Sequence, residues 1–301
     1  MLSRKNKLLL LKILSLFSIV RGYNILVIAF AQYLASIYIL APNLPLRSVV
    51  FDLNLFCIVL SSALVIAGGY IINSFYDSEK DLINKPRKSM LDRLVGQRTK
   101  LSAYFTLNFL AVFFASYVSF RAVFFFSAYI FGIWFYSHKL KKVPFLGNFI
   151  SATLAIAPFF AVFVYYKNFE TVIFVHAMFL FLLILAREMI KDLENIAGDL
   201  AQNYKTVPIL YGEGFSKIGI TFLIFFTLIP SLLLINNFDV GYMYLYFMGS
   251  IVLLVIFIIL LWRSKTKYHY VWLHNILKLI IVLGVFSILL INVDLVLNRI
   301  L

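Results

Sequence analysis

Nine apolar stretches dominate the sequence and limit the folds that are open to it. A helix needs roughly 20 predominantly apolar residues to cross a hydrocarbon core of about 30 Å, so stretches of this length can span a bilayer. They cover approximately residues 24–40, 53–72, 101–120, 122–136, 146–165, 171–186, 218–235, 242–262 and 272–296. Lipid-exposed backbone must satisfy its own hydrogen bonds, and these stretches are too long and too uniformly apolar for barrel strands. The sequence therefore predicts an all-α polytopic membrane protein with nine transmembrane helices.

Composition and charge placement agree with this class. The chain is 63% hydrophobic and only 13% charged, with a mean hydropathy of +0.96, which excludes an ordinary soluble domain. The net charge of +14 could indicate nucleic-acid binding, but the basic residues lie mostly between the apolar stretches, where the positive-inside rule explains them better. Of 27 Lys and Arg residues, the odd-numbered connections and the C-terminus hold only Arg47, Arg121, Lys167 and Arg299. We expect no nucleic-acid partner, and a plasma or inner membrane location with the N-terminus and active-site loops in the cytoplasm.

The N-terminal segment and the single cysteine have structural interpretations. Residues 1–20 are basic and then apolar, but no small-residue cleavage site follows and Arg21 interrupts the run, so we predict an interfacial helix rather than a signal peptide. Cys57 lies inside the second predicted span, which leaves no disulfide framework and indicates a packing role. We expect one domain, residues 1–301.

Acidic residues concentrate after two of the spans. Nine of the 13 Asp and Glu residues follow the second or the sixth predicted span, at the same point of two successive groups of four helices. This placement predicts two related four-helix halves followed by a ninth helix. Proline at positions 158 and 230 predicts kinks inside the bundle.

The first acidic cluster has helical spacing. Asn73, Asp77 and Asp81 recur every four residues, so they share one face of a helix that continues from the second span. Like charges at this spacing repel unless a cation lies between them, and carboxylate and amide oxygens are ligands that Mg²⁺ uses when it also binds phosphates. This face is a candidate metal site.

The second cluster repeats the pattern with Glu188, Asp192, Asn195 and Asp199. Cations suited to a diphosphate flank the two clusters: Lys85, Arg87, Lys88 and Lys205. The remaining acids are interpreted as pairing with neighbouring cations in wet loops: Glu79, Asp92, Glu194 and Glu213. The remaining cations are interpreted as determinants of topology: Lys80, Arg93, Arg98 and Lys100.

These motifs together resemble the UbiA prenyltransferase superfamily. Asn73-x-x-x-Asp77-x-x-x-Asp81 is similar to its first aspartate-rich motif, and Asn195-Ile-Ala-Gly-Asp199 with Lys205-Thr206 is similar to its second. Further matching pieces occur in order along the chain: Arg21-Gly-Tyr-Asn24, Asn84-Lys-Pro86, Tyr136-Ser-His-Lys-Leu-Lys141, and Pro144 with Gly147-Asn148. The chain departs from the family at Asn195, where Asp is usual, and Asp192 one turn earlier is a candidate to compensate; it also has Lys88-Ser89 where the family commonly has Arg-Pro.

The resemblance implies an enzyme that moves a polyprenyl group from its diphosphate to a lipophilic acceptor within the membrane. It implies Mg²⁺ as cofactor, with metal ligands at Asn73, Asp77, Asp81, Asp192, Asn195 and Asp199. It implies catalytic roles for Asp77, Asp81 and Asp199. It implies substrate contacts from Arg21, Asn24, Lys88, Tyr136, Lys141, Asn148 and Lys205.

The acceptor and two other classes of protein stay open. The segment 187–199 most resembles the branch that acts on geranylgeranylglyceryl phosphate, with aromatic quinone precursors as the nearest alternative. A membrane transporter would also bury acids, but broken helices at the membrane midplane are typical of transporters and are not evident here. A third possibility is a protein that binds prenyl diphosphate without turnover. The reason to consider it is Asn195, where Asp is usual in the family.

Overall fold

The computed structural model describes residues 4–293, which form helices joined by short connections, with no β-strand in that range. The α-helices are α1 Arg4–Val20, α2 Gly22–Ala35, α3 Leu46–Val50, α4 Leu53–Tyr76, α5 Ser78–Asn84, α6 Pro86–Asp92, α7 Gln97–Val118, α8 Phe120–His138, α9 Leu146–Tyr166, α10 Thr171–Glu194, α11 Ile196–Ala201, α12 Val207–Asn236, α13 Tyr244–Arg263 and α14 Lys267–Ser287.

Within residues 4–293, nine helices are long and apolar enough to cross a membrane, which confirms the predicted number. They are α2 with its π-helical extension Ser36–Leu40, α4, α7, α8, α9, α10, α12, α13 and α14. The protein is an integral, multi-pass membrane protein of the all-α class. The ninth span was expected to reach residue 296; its last three residues lie outside the described range.

The second and sixth spans continue further than their hydropathy indicates. α4 ends at Tyr76 rather than near residue 72, and α10 ends at Glu194 rather than near residue 186. A helix does not have to stop at its first charged residue, and Glu188 is paired with Lys191 one turn along at 2.8 Å. Several acids predicted to follow the sixth span therefore lie on α10 itself.

Two helices organise the bundle. α4 packs against α2, α7 and α8, and α10 packs against α9, α12 and α14. Contacts of α9 with α4 and of α14 with α2 join the two groups. This arrangement matches the predicted two four-helix halves and a ninth helix, with each acidic cluster at the end of a central helix.

The two central helices end in the same way. Asp77 caps the end of α4 and Asn195 caps the end of α10. These two residues have φ of −91° and −108° with ψ near zero, and a short helix follows each. Backbone hydrogen bonds bridge both breaks, from Asp81 N to Asp77 O at 2.8 Å and from Asp199 N to Asn195 O at 3.0 Å. The predicted four-residue spacing therefore survives although neither helix is continuous. The short helices α5 and α11 pack against each other and bring the two motifs together.

The proline inside α9 is accommodated by a neighbouring helix. Pro158 has no N–H, so the carbonyl of Leu154 lacks its helical donor. The hydroxyl of Tyr129 on α8 donates to that carbonyl at 3.0 Å. A second bond ties the site to α2, since Gln32 Nε2 donates to the Pro158 carbonyl at 2.8 Å. Both bonds join α9 to helices of the first half, and the kinks predicted at Pro158 and Pro230 stay predictions.

The N-terminal helix forms as predicted and packs on the bundle. Ile19 of α1 is buried against Ile71 and Ile72 of α4. Arg21 ends α1 in the left-handed region, with φ of 51°, and starts α2 in a new direction. The interfacial position of α1 stays a prediction. Cys57 is buried, as expected for a packing residue.

Candidate active site

Asp77 is the most heavily supported acid of the first motif. Its Oδ1 atom accepts hydrogen bonds from Lys141 Nζ at 2.6 Å and from the Tyr204 hydroxyl at 3.1 Å. Lys80 Nζ lies 4.0 Å from the same oxygen. Burial alone would raise the pKa of Asp77, but the ammonium groups of Lys141 and Lys80 outweigh it and the pKa is lowered. Asp77 is therefore a buried carboxylate that stays ionised.

Asp199 of the second motif faces the same cation. Lys80 Nζ lies 2.8 Å from Asp199 Oδ1, and it also lies 4.6 Å from the centre of the Tyr204 ring. Burial raises the pKa of Asp199, and the charge of Lys80 opposes that effect only in part. Lys80 was interpreted from sequence as a determinant of topology; in the structure it links the two motifs. Its position three residues after Asp77 was the available signal, because that spacing places both side chains on one helical face.

Asn84 holds the two short helices together. Its Oδ1 atom accepts from Gly198 N at 3.1 Å, and its Nδ2 atom donates to Asn195 O at 3.3 Å. The approach is so close that a Cβ on Gly198 would lie within 2.3 Å of Asn84 Nδ2. On the other side, Lys267 Nζ of α14 donates to the Asn84 carbonyl at 2.6 Å. Asn84 thus fixes the second motif against the first.

Asp192 joins the site from the last turns of α10. Asn148 Nδ2, at the start of α9, donates to Asp192 Oδ2 at 2.7 Å. The neighbouring Glu188 accepts from Ser151 Oγ at 3.0 Å, and Tyr136 lies beside both residues. This places the predicted contacts Tyr136 and Asn148 next to the second motif, between α8, α9 and α10.

Three predicted residues form a group beside the first motif. The guanidinium of Arg21 lies 5.2 Å from the centre of the Tyr70 ring, and Asn24 Nδ2 donates to the Tyr70 hydroxyl at 3.1 Å. Burial and then the charge of Arg21 lower the pKa of Lys88. Asp81 and Asp92 oppose them electrostatically.

Two predicted site residues, Lys205 and Asn73, are less buried than Asp77 and Asp199. The side chain of Lys205 is exposed, and its backbone N–H donates to Lys142 O at 3.1 Å. The adjacent Tyr204 is buried and points at Asp77, which sequence reasoning missed. The half-buried Asn73 precedes Asp77 by one helical turn, and its carbonyl accepts from Asp77 N at 2.9 Å.

The acids interpreted as solvated pairs behave differently from one another. Glu79 and Arg93 form an exposed ion pair at 3.2 Å, as expected. Glu194 is buried and not solvated; it lies 3.6 Å from Lys85 Nζ and 3.4 Å from His274 Nδ1. Asp92 is also buried, and burial raises its pKa. Glu213 accepts from the hydroxyl of Tyr270 at 2.7 Å. Helix packing decides whether each of these acids is exposed or buried, and residue type alone does not reveal that packing.

The donor chemistry of the site fits a hard divalent cation. The buried carboxylates of Asp77 and Asp199 come from different motifs and converge on one positive charge, the ammonium of Lys80. Within residues 4–293 no three Asp, Glu, His or Cys side chains are close enough to form a ready metal cage. Mg²⁺ in phosphate-transfer sites is held by one or two carboxylates together with substrate phosphates, so a preassembled cage is not required.

Comparison with known proteins shows the family. The model of the UbiA prenyltransferase family matches residues 29–279, most of the chain. The chain therefore belongs to the UbiA prenyltransferase family, and it is an intramembrane enzyme that transfers a prenyl group.

Two curated relatives carry the same name. The chain is 35% identical to the digeranylgeranylglyceryl phosphate synthase of Thermococcus sibiricus over 226 residues, which cover 74% of this chain and 79% of the relative. It is 26% identical to the synthase of that name from Sulfurisphaera tokodaii over 249 residues, covering 81% and 85% of the two chains.

Solved structures share the fold. A digeranylgeranylglyceryl phosphate synthase studied in membranes superposes with a TM-score of 0.70 at 22% identity, covering 92% of this chain and 97% of that one. A UbiA homologue from Archaeoglobus fulgidus, bound to GPP and Mg²⁺, superposes with a TM-score of 0.65 at 15% identity, covering 91% and 99%.

Proposed function

We propose that this protein transfers a polyprenyl group from its diphosphate to the free hydroxyl of geranylgeranylglyceryl phosphate, in a Mg²⁺-dependent reaction. The observation that carries the proposal is the meeting of Asp77 and Asp199 at Lys80, which makes one polar centre from the two motifs. The choice of acceptor is supported by the name that the curated relatives share.

The reaction needs one bond to break and one to form. The bond between the allylic carbon and the diphosphate oxygen breaks, and the diphosphate leaves with the electron pair. The acceptor hydroxyl then attacks the allylic cation, forms an ether bond and loses its proton. The barrier is lowered chiefly by stabilising the charge that develops on the leaving diphosphate.

The residues of the site can supply this stabilisation. Lys141 and Lys80 lie beside Asp77, and Lys88 and Arg21 lie beside the first motif. Mg²⁺, when bound, supplies further positive charge at the diphosphate oxygens. The side chains that would hold it are Asn73, Asp77, Asp81, Asp192, Asn195 and Asp199. Asn148 donates to Asp192, and Asn84 accepts from Gly198 N and donates to Asn195 O, so uncharged amides position these ligands.

We also propose that the site opens to the cytoplasm. The connections on the site's side of the bundle carry most of the Lys and Arg residues, including Lys85, Lys88 and Lys141. A cysteine placed at exposed Lys139 should react with an impermeant thiol reagent only after the membrane is opened, and one at exposed Arg121 should react in intact cells. Both cysteines are introduced into the Cys57→Ser variant, which lacks the native thiol. Labelling of position 139, and not of position 121, in intact cells would mean that the site opens to the outside.

The proposal is tested by turnover in liposomes. The purified protein is given radiolabelled geranylgeranyl diphosphate and Mg²⁺ with geranylgeranylglyceryl phosphate, or with the aromatic acceptor 1,4-dihydroxy-2-naphthoate. We expect a lipid product only with the glyceryl phosphate and none in EDTA. Product only with the aromatic acceptor would overturn the acceptor assignment, and diphosphate binding without any product would favour a non-catalytic binder.

Asp77→Asn serves as the site variant in the same assay. It should lower turnover by roughly 10²–10³-fold, because the buried carboxylate is replaced by a neutral amide. The matched control is Asp239→Asn, an exposed residue in the connection after α12 that accepts a local hydrogen bond from Gly241 N. Equal activity of the two variants would remove Asp77 from the site.

A further inference from the structure

A second group of basic residues lies between α10 and α14, beside the second motif. It consists of three cations, Arg187 and Lys191 on α10 and Lys85 just after α5, together with the imidazole of His274 on α14. Glu194 of α10 lies 3.4 Å from His274 Nδ1 and 3.6 Å from Lys85 Nζ, and Arg187 and Lys191 lie on the turns of α10 just before it. We call these four residues the α10–α14 cation cluster.

The carboxylates within the cluster do not balance its charge. Glu188 pairs with Lys191 at 2.8 Å and with Arg187 at 3.3 Å, while Glu194 lies 3.6 Å from Lys85. Arg187, Lys191 and Lys85 therefore share two ion-paired carboxylates, and Asp192 beside Lys191 is bonded by the neutral Asn148. Cations that outnumber the carboxylates paired with them attract an anion.

The cluster also has a free donor and remains accessible. Arg187 Nε is enclosed and has no hydrogen-bond partner among the described residues, although the same guanidinium bonds Glu188 through Nη2. A ligand can reach the three side chains, because their exposed fractions are 28% for Arg187, 33% for Lys85 and 36% for Lys191. Arginine presents a planar fork that matches phosphate oxygens, and lysine adds point charge.

We propose that the α10–α14 cation cluster binds the phosphate monoester of the acceptor lipid. This inference rests on the proposed function and names the part of the site that selects a phosphorylated acceptor. Lys85 follows Asn84, which accepts from Gly198 N of the second motif, and Lys191 precedes Asp192, so the cluster adjoins the centre where the two motifs meet. An acceptor whose phosphate is held here would have its hydroxyl beside that centre, since few bonds separate phosphate and hydroxyl in a glyceryl phosphate.

The diphosphate of the prenyl donor has similar chemistry, so the test must separate the two ligands. Arg187→Gln is compared with wild type in liposomes, with KM measured separately for geranylgeranyl diphosphate and for the acceptor. The acceptor is supplied as geranylgeranylglyceryl phosphate and as the dephosphorylated alcohol. Arg263→Gln, at the exposed end of α13, is the matched control.

We expect Arg187→Gln to raise KM for the phosphorylated acceptor by about tenfold, as loss of a charged hydrogen bond does. KM for the alcohol and for the donor should change by less than about twofold. Equal losses with both acceptors would mean that Arg187 acts structurally. A raised KM for the donor would assign the cluster to the diphosphate. Either result would overturn the inference.

Two further measurements keep the inference separable from the proposed function. Lys85→Gln, on a different element, should give the same pattern if Arg187→Gln does not fold. If wild type turns over neither acceptor, the proposed function fails, and binding is measured instead by protection against thermal unfolding. Stronger protection by geranylgeranylglyceryl phosphate than by the alcohol, lost in Lys85→Gln, would support the cluster as a phosphate site; equal protection would reject it.

Discussion

Lys80 Nζ lies 2.8 Å from Asp199 Oδ1, so a side chain of the first motif neutralises the most buried carboxylate of the second. The same ammonium is 4.0 Å from Asp77 Oδ1. A lysine in this position holds the motifs together through charge, and a divalent cation could do the same. The stability of the protein should therefore depend on both.

Lys80→Met tests this relationship. Removing one partner of a buried ion pair costs about 3 kcal/mol, because the other charge is left uncompensated. We expect a lower melting temperature in EDTA and a partial recovery in Mg²⁺ that exceeds any effect of Mg²⁺ on wild type. Lys139→Met, at an exposed lysine, is the control. A loss that is the same in EDTA and in Mg²⁺ would show that Lys80 only packs.

Gly198→Ala tests the two hydrogen bonds by which Asn84 joins α5 to α11, a contact that we call the clasp. A Cβ at this position would collide with Asn84 Nδ2 and lie 2.6 Å from its Cγ, so either the Asn84 amide leaves its two hydrogen bonds or α5 and α11 separate. Overpacking of this kind costs about 1–3 kcal/mol, and we expect turnover to fall as well because the two motifs move apart. Gly249→Ala on α13 has nothing within 4 Å and should leave turnover unchanged and stability equal or higher. Equal behaviour of the two variants would contradict the clasp.

Asp92→Asn should stabilise the protein in a pH-dependent way. Asp92 is buried and its Oδ1 atom has no hydrogen-bond partner among the described residues. Burial raises the pKa of this carboxyl, against the opposing charges of Lys88 and Lys100. A carboxyl with a raised folded-state pKa favours the folded state while protonated, and this contribution is lost as the pH rises through that pKa.

The amide should therefore raise the melting temperature at pH 7, by about 2 °C or more, and have little effect near pH 4. Melting curves of wild type and variant across this range give the measurement. Exposed Asp239→Asn should show no such trend. A benefit that grows toward low pH would mean that Asp92 is ionised and paired in the folded protein.

Much of the fold and part of the site could be predicted from sequence. The nine spans follow from hydropathy, and the spacing of Asn73, Asp77 and Asp81 follows from helix geometry. The clasp could not be predicted, because Asn84 and Gly198 are 114 residues apart and nothing local pairs them.

The positions of individual cations were also beyond sequence reasoning. Lys80 has the charge expected of a topology determinant, and only the packing of α5 against α11 brings it to Asp199. At positions 204 and 205, the turn that follows α11 decides which side chain points inward. Asn203 has a positive φ of 54°, and after it Tyr204 turns toward Asp77 while Lys205 faces outward.

The motifs alone predict substrate contacts from both Lys141 and Lys205, but the structure places these two lysines differently. Lys141 is buried and bonds Asp77 at 2.6 Å, whereas the side chain of Lys205 is exposed. We expect Lys141→Gln to lower kcat by about 10²-fold, because the charge beside the leaving diphosphate is lost in a poorly solvated site. Lys205→Gln should change kcat and KM for the donor by less than about threefold, since water and salt screen an exposed charge. Steady-state kinetics of both variants in liposomes, with geranylgeranyl diphosphate varied at saturating acceptor, provide the comparison. A tenfold or larger rise in donor KM for Lys205→Gln would mean that the 203–206 turn rearranges when the diphosphate binds and brings Lys205 into contact with it.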